Sequence, residues 1–433
     1  MTSFRHLELW RQLRDARFAL FLATVALCLT RARDQPSFDV GIGSTTATVV
    51  PADIALVALA VVALGMIAKR GLERAVWPPV IATALFCGWL LATAAVNGWT
   101  AFVSGVKLVE LLALALGALV LLRTRPRLDA LVDVLILFTA VADVVGVVKF
   151  ITGGGGRQPA FLGEHDFAAL ATLPLLYGIT LLFEHNRNRR AWIAIVVGSL
   201  GCILGAALAS LLGLYLGAAA LLALRALSRR LTLRDLATTL AIVAVVTGGT
   251  LSMRAGDLGF LQSWFGKPPS RPGQYASGWS QRLIYSYIGG RIFLEQPLLG
   301  TGWWGDLPPN EFVAFLPDAR RRFSDQPPHY FPPADKPFIP QQTYDEVLYE
   351  LGAVGGVLFL ALLVAVGRAA VRAARRARDA AAAVPAAWFA ASLGAIAGEG
   401  LFGGTPLAAT FWLVAGCVVA LSLLPDAASA EKA

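Results

Sequence analysis

Arg282 and Arg291 stand nine residues apart in a polar and aromatic stretch, 281–295, that lies between long apolar runs. A guanidinium does not deprotonate near neutrality, and its planar fork grips two phosphate oxygens at once. These residue types therefore suit an anionic, phosphate-like leaving group, whose departure chiefly needs cations to hold its charge. At about 100° per residue, Arg282 and Arg291 project to opposite faces of a helix, so they serve one ligand only if the helix bends at Gly289-Gly290. Arg291 has an ion-pair partner one turn on, Glu295, and a structural role is equally open to it. Arg282 has none on its own helix. A weak base beside the acceptor group would complete such a site. Asp345 is the first choice, then Glu164 or His165; Asp166 and Glu346 fall on the same side, and His329 reads as a loop residue in a proline-rich run.

The surrounding chain is a membrane protein's. Its 433 residues are 57% apolar and only 15% charged, with a mean hydropathy of +0.64. That excludes a soluble domain, and continuous rather than alternating apolar runs exclude a β-barrel. The net charge of +9 is not a nucleic-acid footprint, because the arginines sit in short clusters between the runs. Cys28, Cys87, Cys202 and Cys417 all lie inside apolar runs without metal-ligand spacing, so no zinc, haem or iron–sulfur site is expected. The fold expected is all-α, a polytopic bundle of about twelve transmembrane helices at 16–31, 50–68, 76–96, 100–122, 128–150, 167–184, 191–206, 208–226, 233–251, 343–367, 384–403 and 406–424. A turn near Gly205 or Ser210 separates the seventh from the eighth, since together they would be too long for one span.

Every second connection is basic. The clusters are Arg5 to Arg17, Lys69 to Arg74, Arg123 to Arg127, Arg187 to Arg190, Arg225 to Arg234 and Arg368 to Arg378. The positive-inside rule then puts both termini in the cytoplasm and the first apolar run reads as a retained helix, not a signal peptide. The chain divides into helices one to nine (1–251), a long extracytoplasmic loop with short surface helices (252–342), and the last three helices with the C-terminus (343–433). The loop, with Trp264, Trp279, Trp303, Trp304 and many prolines, is expected to be ordered and functional. At the start of the tenth helix, Gln341 and Asp345 share a face at i, i+4, with Gln342, Glu346 and Glu350 on the adjacent stripe. Glu350 would lie ~12 Å below Gln342. A carboxylate there costs at least ~2.5 kcal/mol in lipid and must face protein or water. Lys107, Glu110, Asp143 and Glu399 read as polar clasps between helices.

The run from Arg282 through Pro297-Leu298-Leu299-Gly300-Thr301-Gly302 to Tyr344 and on to Glu350-Leu351-Gly352-Ala353-Val354-Gly355-Gly356 resembles the O-antigen ligase and polymerase superfamily. Members show an Arg, a similar Pro-Leu-Leu-Gly-Thr-Gly turn, a variable external stretch, and a His-Asn-x-Tyr-Leu…Glu-x-Gly-x-x-Gly helix. The resemblance implies a membrane-embedded glycosyltransferase of the inner membrane. It would move a glycan from a polyprenyl-pyrophosphate carrier at the outer leaflet to a sugar or glycolipid acceptor, without metal, nucleotide or other cofactor. The external arginines, Arg282 with Arg157 here, would hold the pyrophosphate. Two departures stand out. The family's His-Asn falls on Gln341-Gln342, and glutamine is no base; Asp345, where the pattern has Leu, would replace it. The family's frequent Ser-Arg is Ser210-Leu211. A competing reading, a transporter or flippase of a lipid-linked saccharide, accounts for the helices, Asp143 and Glu399 but not for the motif around Arg282. A docking protein with an Arg- and Trp-rich loop is a third.

Overall fold

The computed structural model describes residues 12, 14–153, 156–183, 189–254, 277–376, 383–400 and 406–423. Trp264, Gly154, Gly155, Arg5, Arg11, Arg187 and Arg378 lie outside them, as do the side chains of Trp279, Arg375 and Arg376. The chain is mostly helical. Among the described residues, eight helices are long and apolar enough to cross a bilayer, and this is a membrane protein.

Each of the apolar runs in the sequence folds as a helix. The first half holds α1 (Ala16–Cys28), α2 (Pro51–Arg70), α3 (Trp77–Val96), the broken pair α4 (Trp99–Glu110) and α5 (Leu112–Leu121), and α6 (Arg125–Thr152). Then come α7 (Glu164–Phe183), α8 (Arg189–Gly205), α9 (Leu208–Leu227) and α10 (Leu233–Met253). The turn between α8 and α9 falls at Ala206, whose φ of 47° stops the helix. Local chemistry sets several ends. Thr232 and Asp235 cap α10 reciprocally, and Pro51 and Pro126 open α2 and α6, where a missing N–H costs nothing. α7 is the central post, buried along nearly all its length from Asp166 to Phe183, so the residues at its start sit at the middle of one end of the bundle.

The basic connections gather at the opposite end and are tied to one another. Arg127 pairs with Asp15 at 2.6 Å, Arg190 with Asp133 at 2.7 Å, and Arg225 with Asp235 at 2.9 Å. Arg372 donates to the Ala75 carbonyl at 3.2 Å.

Three features depart from the sequence reading. The bundle is not purely helical, because β1 (Phe38–Ile42) and β2 (Thr45–Val49) form an antiparallel hairpin between α1 and α2. Gly43-Ser44 is its two-residue turn, and the β-branched run Thr45 to Val49 suits a strand. As the stretch 281–295 predicts, the long connection carries a helix, α11 (Ser277–Glu295), then two short ones, α12 (Pro309–Phe312) and α13 (Leu316–Arg322). α14 (Thr343–Arg376) follows and breaks at Gly352. Finally, α15 (Val384–Ala395) ends eight residues before the expected boundary of 403, which leaves Glu399 in a turn before α16 (Pro406–Leu421).

Candidate functional site

The break in α14 positions the site. Its freed N–H groups find partners in the turn after α11: Ala353 donates to the Pro297 carbonyl at 2.8 Å and Val354 to that of Leu298 at 3.2 Å. In return the Thr301 N–H donates to the Tyr349 carbonyl at 3.0 Å. Both glycines of this junction hold positive φ, 67° at Gly300 and 65° at Gly352, and a Cβ on either would lie 2.4 Å from the facing backbone carbonyl. Glu350 is fully buried, and its Oε2 accepts from the backbone N–H groups of Trp304 at 2.8 Å and Gly305 at 3.2 Å. The buried carboxylate therefore meets protein, as its cost in lipid requires. It fixes the strip Trp304 to Asp306 that walls the site.

Beside that strip lies a cavity of about 180 Å³. Arg282, His165, Gln341, Glu346, Asp306 and Glu399 supply its polar lining. Arg282 reaches in from α11 and is held on three sides. It donates to the Gly398 carbonyl at 2.6 Å, to His165 Nε2 at 3.1 Å and to the Gln341 carbonyl at 3.4 Å. A guanidinium only donates, so His165 Nε2 accepts and the neutral ring carries its proton on Nδ1. His165 thus orients the arginine; its basic nitrogen is already used. Burial lowers Arg282 from its usual value, and the Glu399 carboxylate opposes that shift.

More cations surround the same end of α7. Arg157 pairs with Glu164. Arg31 lies 3.3 Å from the buried Asp166, which also accepts from the Leu407 N–H at 2.9 Å. Arg254 donates to the Ala206 carbonyl at 3.1 Å. Between these groups, burial and the nearby Asp166 push the Glu399 carboxyl up to about 7, while Arg31 and Arg282 pull the other way.

Of the residues singled out in the sequence, Arg282, His165 and Gln341 share the cavity wall, with the Arg157–Glu164 pair near His165. Asp345 is placed elsewhere. Its carboxylate accepts from the Ser286 hydroxyl at 2.5 Å and from the Gln342 amide, tying α14 to α11. The i, i+4 relation to Gln341 fails because α14 begins only at Thr343, so Gln341 precedes the helix and has no helical phase. Arg291 is remote from the cavity and its partner is Asp318 at 3.6 Å, not Glu295. Hydrogen bonds from Tyr287 and Arg321, with Arg291 close by, hold the Asp318 carboxyl below the usual carboxylate range. His329 stacks edge-on to Tyr330 in the loop.

The intramembrane residues divide. Lys107 pairs with Asp53 and lies 3.6 Å from Glu110, as a clasp would. Asp143 has no hydrogen-bond partner for either oxygen among the described residues. Glu399 belongs to the cavity. Asp306, Arg31 and Arg254 escaped the sequence reading. Each lies in a connection between elements, outside the run from Arg282 to Gly356 that drew attention in the sequence.

No group of three or more His, Cys, Asp or Glu among the described residues is arranged to hold a metal ion. No protein-family model matches the chain, and no curated protein sequence matches it.

Proposed function

We propose that this protein transfers a glycan from a polyprenyl-pyrophosphate carrier to a sugar hydroxyl at the outer face of a cytoplasmic membrane. It would be a glycosyltransferase of the O-antigen ligase and polymerase type with twelve crossings and both termini in the cytoplasm. The observation that carries the reading is Arg282, a half-buried guanidinium fixed by two carbonyls and His165 on the wall of a cavity that also holds carboxyl groups. The residue order Arg282, Pro297 to Gly302, Glu350 to Gly356 and the alternation of basic connections support it.

The chemistry follows from the residues. The acceptor hydroxyl oxygen forms a bond to the anomeric carbon while that carbon's bond to the diphosphate oxygen breaks. Charge builds on the departing diphosphate, where Arg282 holds it; an arrangement fixed before the reaction stabilises it most. The hydroxyl proton passes to a carboxylate, and Glu399, poised near neutrality on the cavity wall, is the group for it.

The test is reconstitution in liposomes with a polyprenyl-pyrophosphate oligosaccharide and candidate glycan acceptors. Release of polyprenyl pyrophosphate with formation of a glycosylated acceptor is expected. Movement of intact donor between leaflets without release would replace this reading by the flippase.

A further inference from the structure

A second and larger cavity, of about 880 Å³, adjoins the first. That is within the roughly 300–1,000 Å³ of small-molecule sites. The α1–hairpin connection, the first turn of α2, one face of α4 along its whole length and the chain after Gly302 line it. Gly305 and Asp306 line both cavities, so an occupant of the larger one ends against the wall of the smaller.

Its lining is chemically specific. Trp304 offers a flat apolar face, and its indole Nε1 is buried without a hydrogen-bond partner among the described residues. Hydroxyls come from Thr30, Ser37, Thr48, Thr100 and Ser104. Lys107 is engaged by Asp53 and Glu110, so it offers no free cation. Arg33 and Lys107 face three carboxylates, Asp53, Glu110 and Asp306, a balance that disfavours an anion. Carboxylates accept hydrogen bonds and hydroxyls both give and accept them. With an aromatic face added, these groups match an uncharged sugar, whose hydroxyls line its edge and whose ring carbons form an apolar face.

We infer that this cavity binds the acceptor as neutral saccharide residues, seated on Trp304 and directed through the Gly305–Asp306 wall toward Arg282. The inference rests on the transfer reading for the word acceptor, and on the cavity alone for saccharide binding.

Saturation-transfer NMR on the full chain, in a detergent without a sugar headgroup, tests it. The probes are maltotriose, chitotriose and mannotriose, with trigalacturonate as the anionic control. At least one neutral trisaccharide should bind and trigalacturonate should bind more weakly. Trp304→Leu removes the platform, and Thr48→Trp fills the cavity from an exposed strand position that tolerates a large side chain. Each should weaken binding about ten-fold, the scale of one dominant contact, while Arg282→Ala leaves it unchanged. Binding equal in both cavity variants, binding lost only in Arg282→Ala, or no binding of any neutral probe would overturn the inference. Saccharide binding with no pyrophosphate release in liposomes would sink the transfer reading and leave the cavity assignment standing.

Discussion

Two arginines nine residues apart on one helix have different occupations. Arg282 is half-buried and held by two carbonyls and His165, whereas Arg291 is exposed beside Asp318. An exposed ion pair contributes only ~0–1 kcal/mol, so Arg291→Ala should leave turnover within about two-fold and barely move the melting temperature. Loss of transfer in that variant would place Arg291 at the reaction after all. Glu399 carries a pH prediction. Its carboxyl is raised to about 7, and a base works only once deprotonated. Transfer should therefore rise as pH climbs through about 7, and Glu399→Gln should be slow at every pH and lose that rise. A rising limb that survives in Glu399→Gln would move the base to Glu346 or Asp306. The separation of Arg282 from Arg291 was legible, because helical phase alone sends them to opposite faces. The partners of Arg282 were not, since His165 and Gly398 lie 117 and 116 residues away. Asp345 shares no helical face with Gln341, because Gln341 precedes the first residue of α14.

At the scale of elements, the turn after α11 and the break in α14 are one device. Each supplies the backbone donors and acceptors the other lacks, and Glu350 fastens the strip beyond. Gly300→Ala or Gly352→Ala would force a side chain into positive φ, costing about 1 kcal/mol or more, and into a backbone carbonyl as well. Both should lower the melting temperature in detergent and abolish activity together with stability. Glu350→Ala leaves two N–H groups without their acceptor, at ~1–3 kcal/mol for a buried group left unsatisfied, and should do the same, with Glu350→Gln recovering part of the loss. Activity lost at unchanged melting temperature would mean these residues touch substrate. The sequence marked this turn and this helix as a pair, but only through their resemblance to a family. Nothing in the spacing said that they hydrogen-bond to each other. The hairpin 38–49 carries β-branched Thr45, Thr46, Thr48 and Val49, but its shortness between two long apolar runs hid it.

For the whole molecule, length of apolar run was the strongest signal, because a helix that must satisfy its own backbone in lipid has few alternatives. All the apolar runs became helices, and their basic connections meet at one end, where acidic partners bind them. The site occupies the other end, around the start of α7, a helix so enclosed that its apolar composition alone could not separate it from its lipid-facing neighbours. Topology has a direct check. In a background lacking the four native cysteines, Asn310→Cys should react with an impermeant thiol reagent in intact cells, and Arg229→Cys only after lysis. The reverse pattern would invert the bundle.

The central claim is that Arg282 holds a departing diphosphate. The most direct measurement is the rate of polyprenyl-pyrophosphate release in proteoliposomes by the wild type, Arg282→Lys and Arg282→Ala, with folding matched by melting temperature. Losing a preorganised charge contact costs ~100-fold or more, so Arg282→Ala should fall by at least that. Arg282→Lys should recover only part, since a flexible ammonium keeps the charge but cannot make the planar, fixed set of contacts to the Gly398 and Gln341 carbonyls and His165. Release by a folded Arg282→Ala at the wild-type rate would contradict the account.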